Sequence, residues 1–314
     1  MSYFNICVRE GEIEKVILMS SSLPKISVVI VTYNRPITDV LECLHAVRGT
    51  LYPNFEIILV DNGTKSPSEF GSPSIENVHL IDVTGQKNIG ASGARNLGIK
   101  NSAGEYFFFV DDDVTVDENS LVELVKIAES NPSIGIIGPV MYLYNCPSKI
   151  WFYNDYLLKN SKEEIVDVPM IVGGALFISK RVIQKIGYFD ESYFFYHEDW
   201  DFCYRVQKAG FRTVCATKVN SWHKVPLDEY SKLFISRRAY YWHRNVFIFA
   251  GRHRKTINGV TNFLFKQLIY YGGRNFPCNY SLIAIRRKKV EALNAYLHGI
   301  LEGLVCLAKL MFAD

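Results

Sequence analysis

Two kinds of apolar spacing alternate along the first 225 residues. Short apolar-rich runs occur at 26–32 (ISVVIVT), 55–60 (FEIILV), 78–83 (VHLIDV), 107–110 (FFFV) and 134–140 (IGIIGPV). These read as strands, and those at 26–32 and 107–110 as strands buried on both faces. Between them the spacing turns helical: Val40, Leu41, Leu44 and Val47 follow the first run, residues 91–99 can start a helix after a glycine-rich stretch, and 118–130 is amphipathic until Asn131-Pro132 stops it. Strand, helix, strand is a βαβ unit of right-handed crossover, so the fold class is α/β. Further on, MIVGGALFISK (170–180) is a strand pattern interrupted by Gly173-Gly174, the mark of a bulge or of a backbone that must approach a ligand closely. Residues 182–186 form a short helix, 200–210 a helix closed by Gly210, and 212–216 a last strand. Residues 142–168 are irregular and aromatic, a loop or small hairpin.

At 314 residues, 48% hydrophobic and 21% charged, the chain holds one large domain or two modest ones with a substantial core. Residues 1–24 carry little pattern and end in a Ser-rich linker, which makes them an N-terminal extension to a domain over 25–225. No run of 18 uncharged apolar residues appears, and the N-terminus lacks the basic-then-apolar pattern of a secretory signal. The seven cysteines are scattered without a CxxC pair, which favours reduced thiols in the cytoplasm over disulfides or a zinc site. Charge changes the picture most. The net +3 divides into −6 over residues 1–225 and +9 over 226–314, so an acidic body carries a basic tail that faces something anionic.

The chemistry gathers where apolar runs end. Phe107-Phe108-Phe109-Val110 stops at Asp111, Asp112 and Asp113. Adjacent carboxylates repel one another, and a hard divalent cation with phosphate oxygens relieves that cost; an acidic turn after an edge strand is the plainer alternative. Strand alternation puts Asp111 and Asp113 on one side and turns Asp112 away. In open α/β sheets ligands sit beyond the carboxyl ends of the strands, where Thr32, Asn34 and Asp61 fall. Asp61 there accepts from a ribose hydroxyl or base N–H, or else stabilises an Asx turn in Asp-Asn-Gly. Arg95, near a helix N-terminus after the glycine-rich stretch, is either a phosphate clamp or a solvated surface cation. A second acidic cluster, His197-Glu198-Asp199-Trp200-Asp201, opens the 200–210 helix. The helix dipole accounts for one acid there but not for three within four residues. Trp151 stacks on a sugar or covers a core edge. His223, alone near the last strand, is by itself a weak metal ligand.

In their order, VVIVTYNR, VDNGT, NIGASGARNLGI, FFFVDDDV, VGGALFISK, GYFDESYFFYHEDWDFCYRVQKAGF and SWH resemble the inverting GT-A glycosyltransferases of family 2, especially the non-processive rhamnosyl- and galactofuranosyl-transferase-like branch, over about Ile26 to His223. The resemblance implies a GT-A (Rossmann-like) nucleotide-diphospho-sugar transferase fold with a C-terminal helical extension. It implies that Thr32, Asn34, Asp61, Arg95, Asp111 and Asp112 serve the donor, that Asp111 and Asp113 hold Mg²⁺ or Mn²⁺ with His223 completing the shell, and that Asp199 is the catalytic base. Gly173, Gly174, Glu198 and Trp151 belong to the acceptor side. The absence of the QxxRW signature implies addition of one sugar rather than a polymer. The implied donor is a UDP-, dTDP- or GDP-linked sugar and the implied acceptor a glycan, polyprenyl-linked in related enzymes.

Residues 226–314 stand outside these motifs. Basic and aromatic residues mix in helical spacing over 236–250, Arg286-Arg287-Lys288-Lys289 adds a basic cluster, and 298–312 is apolar but too short to span a bilayer. Such helices lie on anionic membrane surfaces, here the inner face of the cell membrane; a cap over the domain or a homodimer contact is the other use. No nucleic-acid motif is present. The alternative from another class is a degenerate GT-A-fold protein that binds nucleotide or glycan without turnover, against which the intact acidic clusters weigh.

Overall fold

In the computed structural model the described residues are 23–63, 78–83, 87–151, 161–224, 232–254, 256, 258–263 and 290–312. The N-terminal extension, apart from residues 23–24, lies outside them. Strands β1 (Ile26–Thr32), β2 (Phe55–Asp61), β3 (Val78–Asp82) and β4 (Tyr106–Asp111) run parallel in the order β3-β2-β1-β4. The runs of β1 and β4 lack alternation because both sheet faces are covered there: Ile26, Val28, Val29 and Ile30 are buried, as are Phe107, Phe108 and Phe109; β3, at the edge of the sheet, is instead partly exposed, with His79, Leu80 and Asp82 at the surface. Helix α1 (Ile37–Arg48) turns Val40, Cys43, Leu44 and Val47 inward and completes the βαβ unit. Helix α2 (Gly90–Lys100) lies so close to β1 that a Cβ on Gly98 would stand 2.3 Å from a Val29 methyl.

The sheet continues past β4 with antiparallel β9 (Ala175–Ser179), then β6 (Ile134–Leu143), β10 (Arg212–His223) and β5 (Val114–Val116). Helices α3 (Ser120–Ser130), α4 (Lys180–Ile186) and α5 (Glu198–Lys208) complete the body. Gly210, at φ 88°, ends the turn after α5, as a left-handed C-cap requires. Gly173-Gly174 precedes β9 as a turn and is not a break within it. β10 runs twelve residues, seven beyond the expected stop at 216, through a register shift against β6 between Ala216 and Asn220. The aromatic stretch contributes a short hairpin strand, β7 (Cys146–Ile150), paired with β6, and β8 (Ile165–Asp167), paired with β10. Phe152, Tyr153 and Tyr156 lie outside the described residues. Cys43, Cys146, Cys203, Cys215 and Cys306 are free thiols.

The tail supplies two long helices, α6 (Lys232–His253) and α7 (Val290–Phe312), which pack on one another through glycines: a Cβ on Gly299 would meet the Tyr240 carbonyl at 2.4 Å. No helix among the described residues is long and apolar enough to cross a membrane.

Candidate active site

The strand ends assemble the site. Register pairs Thr32 with Asp61 and Val31 with Asp111, so three carboxyl ends open on one edge of the sheet. Thr32 and Asp61 are buried there. Asn62, not singled out from the sequence, ties this edge to the glycine-rich loop: its Nδ2 donates to Asn88 Oδ1 and to the Gly90 carbonyl, both at 3.1 Å, and its Oδ1 accepts from the Ile89 N–H at 3.0 Å. Asn34 adopts the left-handed region at φ 52°, which turns the chain after β1 and delivers Arg35 to the acidic triplet.

Side-chain directions in the triplet differ from strand alternation. β4 ends at Asp111, the chain turns through Asp112 and Asp113, and alternation does not carry across the turn. Asp111 accepts from Arg95 Nη2 at 3.0 Å. Asp112 and Asp113 instead share Arg35, whose Nε donates to Asp112 Oδ1 at 3.2 Å and whose Nη2 pairs with Asp113 Oδ2. Burial raises the Asp112 carboxyl above its usual range even against Arg35. β10 closes the edge from the far side. Its antiparallel pairing with β5 sets His223 opposite Val114, with Nε2 3.2 Å from Asp113 Oδ1. Trp151 meets the His223 ring edge-on, with ring centroids 4.4 Å apart, which brings it beside the acidic triplet.

Arg95 is neither a solvated cation nor an exposed clamp. It is 5% exposed and bridges Asp111 to Glu198, with Nη1 2.7 Å from Glu198 Oε1. Burial alone would lower its pKa, but the two carboxylates outweigh it and hold the guanidinium charged. A Cβ on Gly173 would lie 2.8–2.9 Å from the guanidinium atoms, so the glycine is what lets Arg95 reach both acids.

Gly173 and Gly174 join the two acidic clusters. The Gly174 carbonyl accepts from the Asp111 N–H at 3.0 Å, and the Gly173 N–H donates to Asp199 Oδ2 at 3.1 Å. Asp199 also receives its neighbour's N–H, that of Trp200, at 2.8 Å on Oδ1. It keeps some solvent-accessible surface, but the dense protein around it and the Glu198 charge push its carboxyl up to about 7. Asp201 is the opposite case. Burial alone would raise it, yet His253 Nε2 at 2.7 Å and Arg205 Nε at 2.7 Å hold it below the usual range.

The turn that aims α5 is strained. Tyr196 and His197 both lie in the left-handed region, at φ 66° and 68°. Asn245 of α6, fully buried, holds that turn by donating Nδ2 to the Phe195 carbonyl at 2.9 Å and the Tyr196 carbonyl at 2.7 Å. Arg244 reaches the Ser192 carbonyl at 3.0 Å, and Arg252 pairs with Asp190 at 2.6 Å. His197 itself is buried against Trp200 and Trp242, which pushes its pKa down to about 3 and keeps the imidazole neutral. α6 thus packs over the turn that leads into α5.

A family model described as glycosyl transferase family 2 matches residues 27–187. The chain belongs to that family. The transferase is 26% identical over 246 residues to the low-salt glycan biosynthesis hexosyltransferase Agl10 of Haloferax volcanii, covering 74% of this chain and 77% of the relative. It is 29% identical to the glycosyltransferase AglE of the same organism, over 54% of this chain and 58% of that protein. Among solved structures, the mannosyltransferase PcManGT of Pyrobaculum calidifontis, in complex with GDP-Man and Mn²⁺, superposes with a TM-score of 0.57 at 16% identity over 94% of this chain and 89% of that one. S. aureus TarS 1-349 in complex with UDP gives 0.56 at 17% identity, over 91% and 85%. These likenesses establish a GT-A fold for the transferase. The family match ends before Asp199 and His223.

Proposed function

We propose that the protein transfers one sugar from a nucleoside-diphosphate sugar to a hydroxyl of a glycan acceptor, with inversion at the sugar carbon. One observation carries this reading. The consecutive residues Gly173 and Gly174 hydrogen-bond to Asp199 on one side and Asp111 on the other, so a candidate base and the acidic triplet face a single short segment. The strand ends at Thr32 and Asp61 receive the nucleoside. Asp199, reachable by solvent and free of any ion pair among the described residues, takes the acceptor proton as the hydroxyl acidifies in the transition state. Attack from the side of Asp199, opposite the leaving diphosphate, is what gives inversion.

The residues at the end of β4 fit Mg²⁺ or Mn²⁺. Asp111 and Asp113 are hard oxygen donors, and His223 stands against Asp113. Among the described residues no three acidic, His or Cys side chains converge as they stand, which suits an ion completed by the donor's own phosphate oxygens. Bound there, such a cation supplies Lewis-acid charge to the departing diphosphate. Mn²⁺ accompanies GDP-Man in the mannosyltransferase neighbour and is the first cation to try.

The acceptor reading extends to a lipid-linked glycan at the inner membrane face. Its support is the outer face of α7, where Leu297, Leu301, Leu304 and Val305 are exposed on a chain segment with 14 basic and 5 acidic residues. The decisive experiment is a thermal-shift and hydrolysis screen against UDP-, GDP- and dTDP-sugars with Mn²⁺, Mg²⁺ or EDTA. A metal-dependent shift with one nucleotide class, followed by slow release of its diphosphate, is expected; absence of any shift and any hydrolysis, with and without anionic liposomes, overturns the reading. For the membrane, the paired substitution Leu301→Asp and Leu304→Asp is expected to abolish sedimentation with anionic liposomes. Unchanged sedimentation, or a change in oligomeric state instead, assigns the stripe to a contact between copies.

A further inference from the structure

Arg35 lies outside the set that the sequence motifs nominate, yet it makes the most consequential contact in the acidic triplet. It sits on a four-residue connection between β1 and α1, with Asn34 at φ 52° on one side and Pro36 on the other, so its backbone is fixed while its side chain, 23% exposed, is not. The guanidinium spans two carboxylates. Nε takes Asp112 Oδ1 and Nη2 takes Asp113 Oδ2. His223 Nε2 stands at the remaining Asp113 oxygen, so both oxygens of this 3%-exposed carboxylate face a nitrogen of Arg35 or His223.

A divalent ion and the guanidinium compete for Asp113 Oδ2: both draw on the same oxygen's lone pairs, and the two positive groups repel each other. The acids cannot stand without a cation, because three carboxylates at a buried strand end repel one another. A diphosphate, by contrast, offers a guanidinium a planar, bidentate seat of at least equal quality. We infer that Arg35 is an exchangeable counter-ion, which neutralises Asp112 and Asp113 until the donor arrives and then passes to the donor diphosphate as a divalent cation takes its place on Asp113. The inference rests on the glycosyltransferase reading for the identity of the diphosphate, but not for the exchange itself. Its consequence is coupling. Metal and nucleotide bind better together than apart, and by linkage the enhancement is the same whichever binds first.

The test is Mn²⁺ binding to the full chain, read by the loss of the free-ion electron paramagnetic resonance signal, with and without UDP or GDP. In the wild type, nucleoside diphosphate is expected to tighten Mn²⁺ binding at least tenfold, after correction for the metal–nucleotide complex in solution. Arg35→Gln, which vacates Asp113 without adding charge, is expected to tighten binding of Mn²⁺ alone about tenfold and to shrink the nucleotide's enhancement. Arg35→Lys, which keeps the charge but cannot bridge two carboxylates, falls between. Adding Asp113→Asn to Arg35→Gln returns Mn²⁺ affinity to the wild-type level or weaker. A melting curve confirms that each variant is folded. If Arg35→Gln leaves the affinity for Mn²⁺ alone unchanged, or if the Asp113→Asn double variant keeps the gain, the counter-ion role is overturned while the transferase reading stands. If Arg35→Gln gains affinity for Mn²⁺ but neither nucleotide enhances binding in the wild type, the exchange onto a diphosphate fails; a wild type that also melts unchanged with every sugar nucleotide loses the transferase reading as well.

Discussion

The two acidic clusters, Asp111-Asp112-Asp113 and Glu198-Asp199-Asp201, contain almost the same residues and are built to opposite ends. In the first, every carboxylate has an arginine partner, Arg95 for Asp111 and Arg35 for Asp112 and Asp113, and Asp113 also meets the His223 ring nitrogen. In the second, Arg95 serves Glu198 and Arg205 with His253 serves Asp201, while Asp199 between them is held by backbone N–H groups. The first cluster is poised to receive positive charge by exchange. The second isolates one carboxylate and raises its affinity for a proton. Neither difference follows from counting acids; both follow from where the neighbouring elements deliver arginine and histidine.

The comparison breaks most sharply by exchanging the fates of the two clusters. Asp199→Asn is expected to lower turnover by about 10²–10⁴-fold, the usual worth of a positioned base, while the thermal shift with donor stays near that of the wild type. Asp113→Asn is expected to do the converse for binding: donor affinity loses its metal dependence, seen as equal shifts with Mn²⁺ and EDTA. Full activity of the first variant, or an undiminished metal response of the second, removes the division of labour.

Next in size is the brace on the base. Asn245→Ala removes the two hydrogen bonds that its Nδ2 gives the Phe195 and Tyr196 carbonyls in a strained turn, each worth about 0.5–1.5 kcal/mol. The expected outcome is a fall in kcat of about tenfold or more with donor KM unchanged, together with a lower Tm. A KM effect alone would mean that the turn serves the donor instead.

The smallest effects are those of pH. As the proposed base, Asp199 acts ionised, so kcat/KM is expected to rise with pH through about 7 and level off above. Glu198→Gln removes a charge that raises Asp199, and the rising limb moves to lower pH. Stability runs the other way. Between the ordinary Asp value near 3.9 and about 7, the folded state holds the Asp199 proton that the unfolded state has lost. Stability therefore falls as pH rises through that window, and Asp199→Asn, which escapes the loss, gains about 2 °C in Tm over the wild type at pH 8 but not at pH 4.

Much of the sheet edge was legible in the sequence because its signals are local. Apolar-rich runs gave the strands, and their ends at Thr32, Asp61 and Asp111 gave the sheet edge. The start of α5 at Glu198 followed from acids ahead of a helical pattern. What escaped depends on directions that no local rule fixes. Alternation fails at Asp112 because the strand has already ended, so Arg35 was overlooked although β1 and β4 are neighbours. Arg95 was read as facing outward because a helix N-terminus does not tell which acids lie above it. Asn62 and Asn245 carry no motif at all; Asn62 works through the Ile89 N–H and the Gly90 carbonyl, 27 and 28 residues away, and Asn245 through carbonyls about 50 residues away. His223 reaches Asp113 only through the β5–β10 pairing, a contact between strands 107 positions apart.

The grip of α6 on the turn before Asp199 has a consequence for anyone recombining these enzymes. A transferase made by fusing this body to a foreign tail exchanges more than an address label: it loses Asn245, Arg244, Arg252 and His253, and with them the hold on residues 190–201. Working hybrids should therefore be cut so that segments 188–201 and 236–254 travel as a matched pair, with the junctions placed in the sheet before β9 and beyond the end of α6.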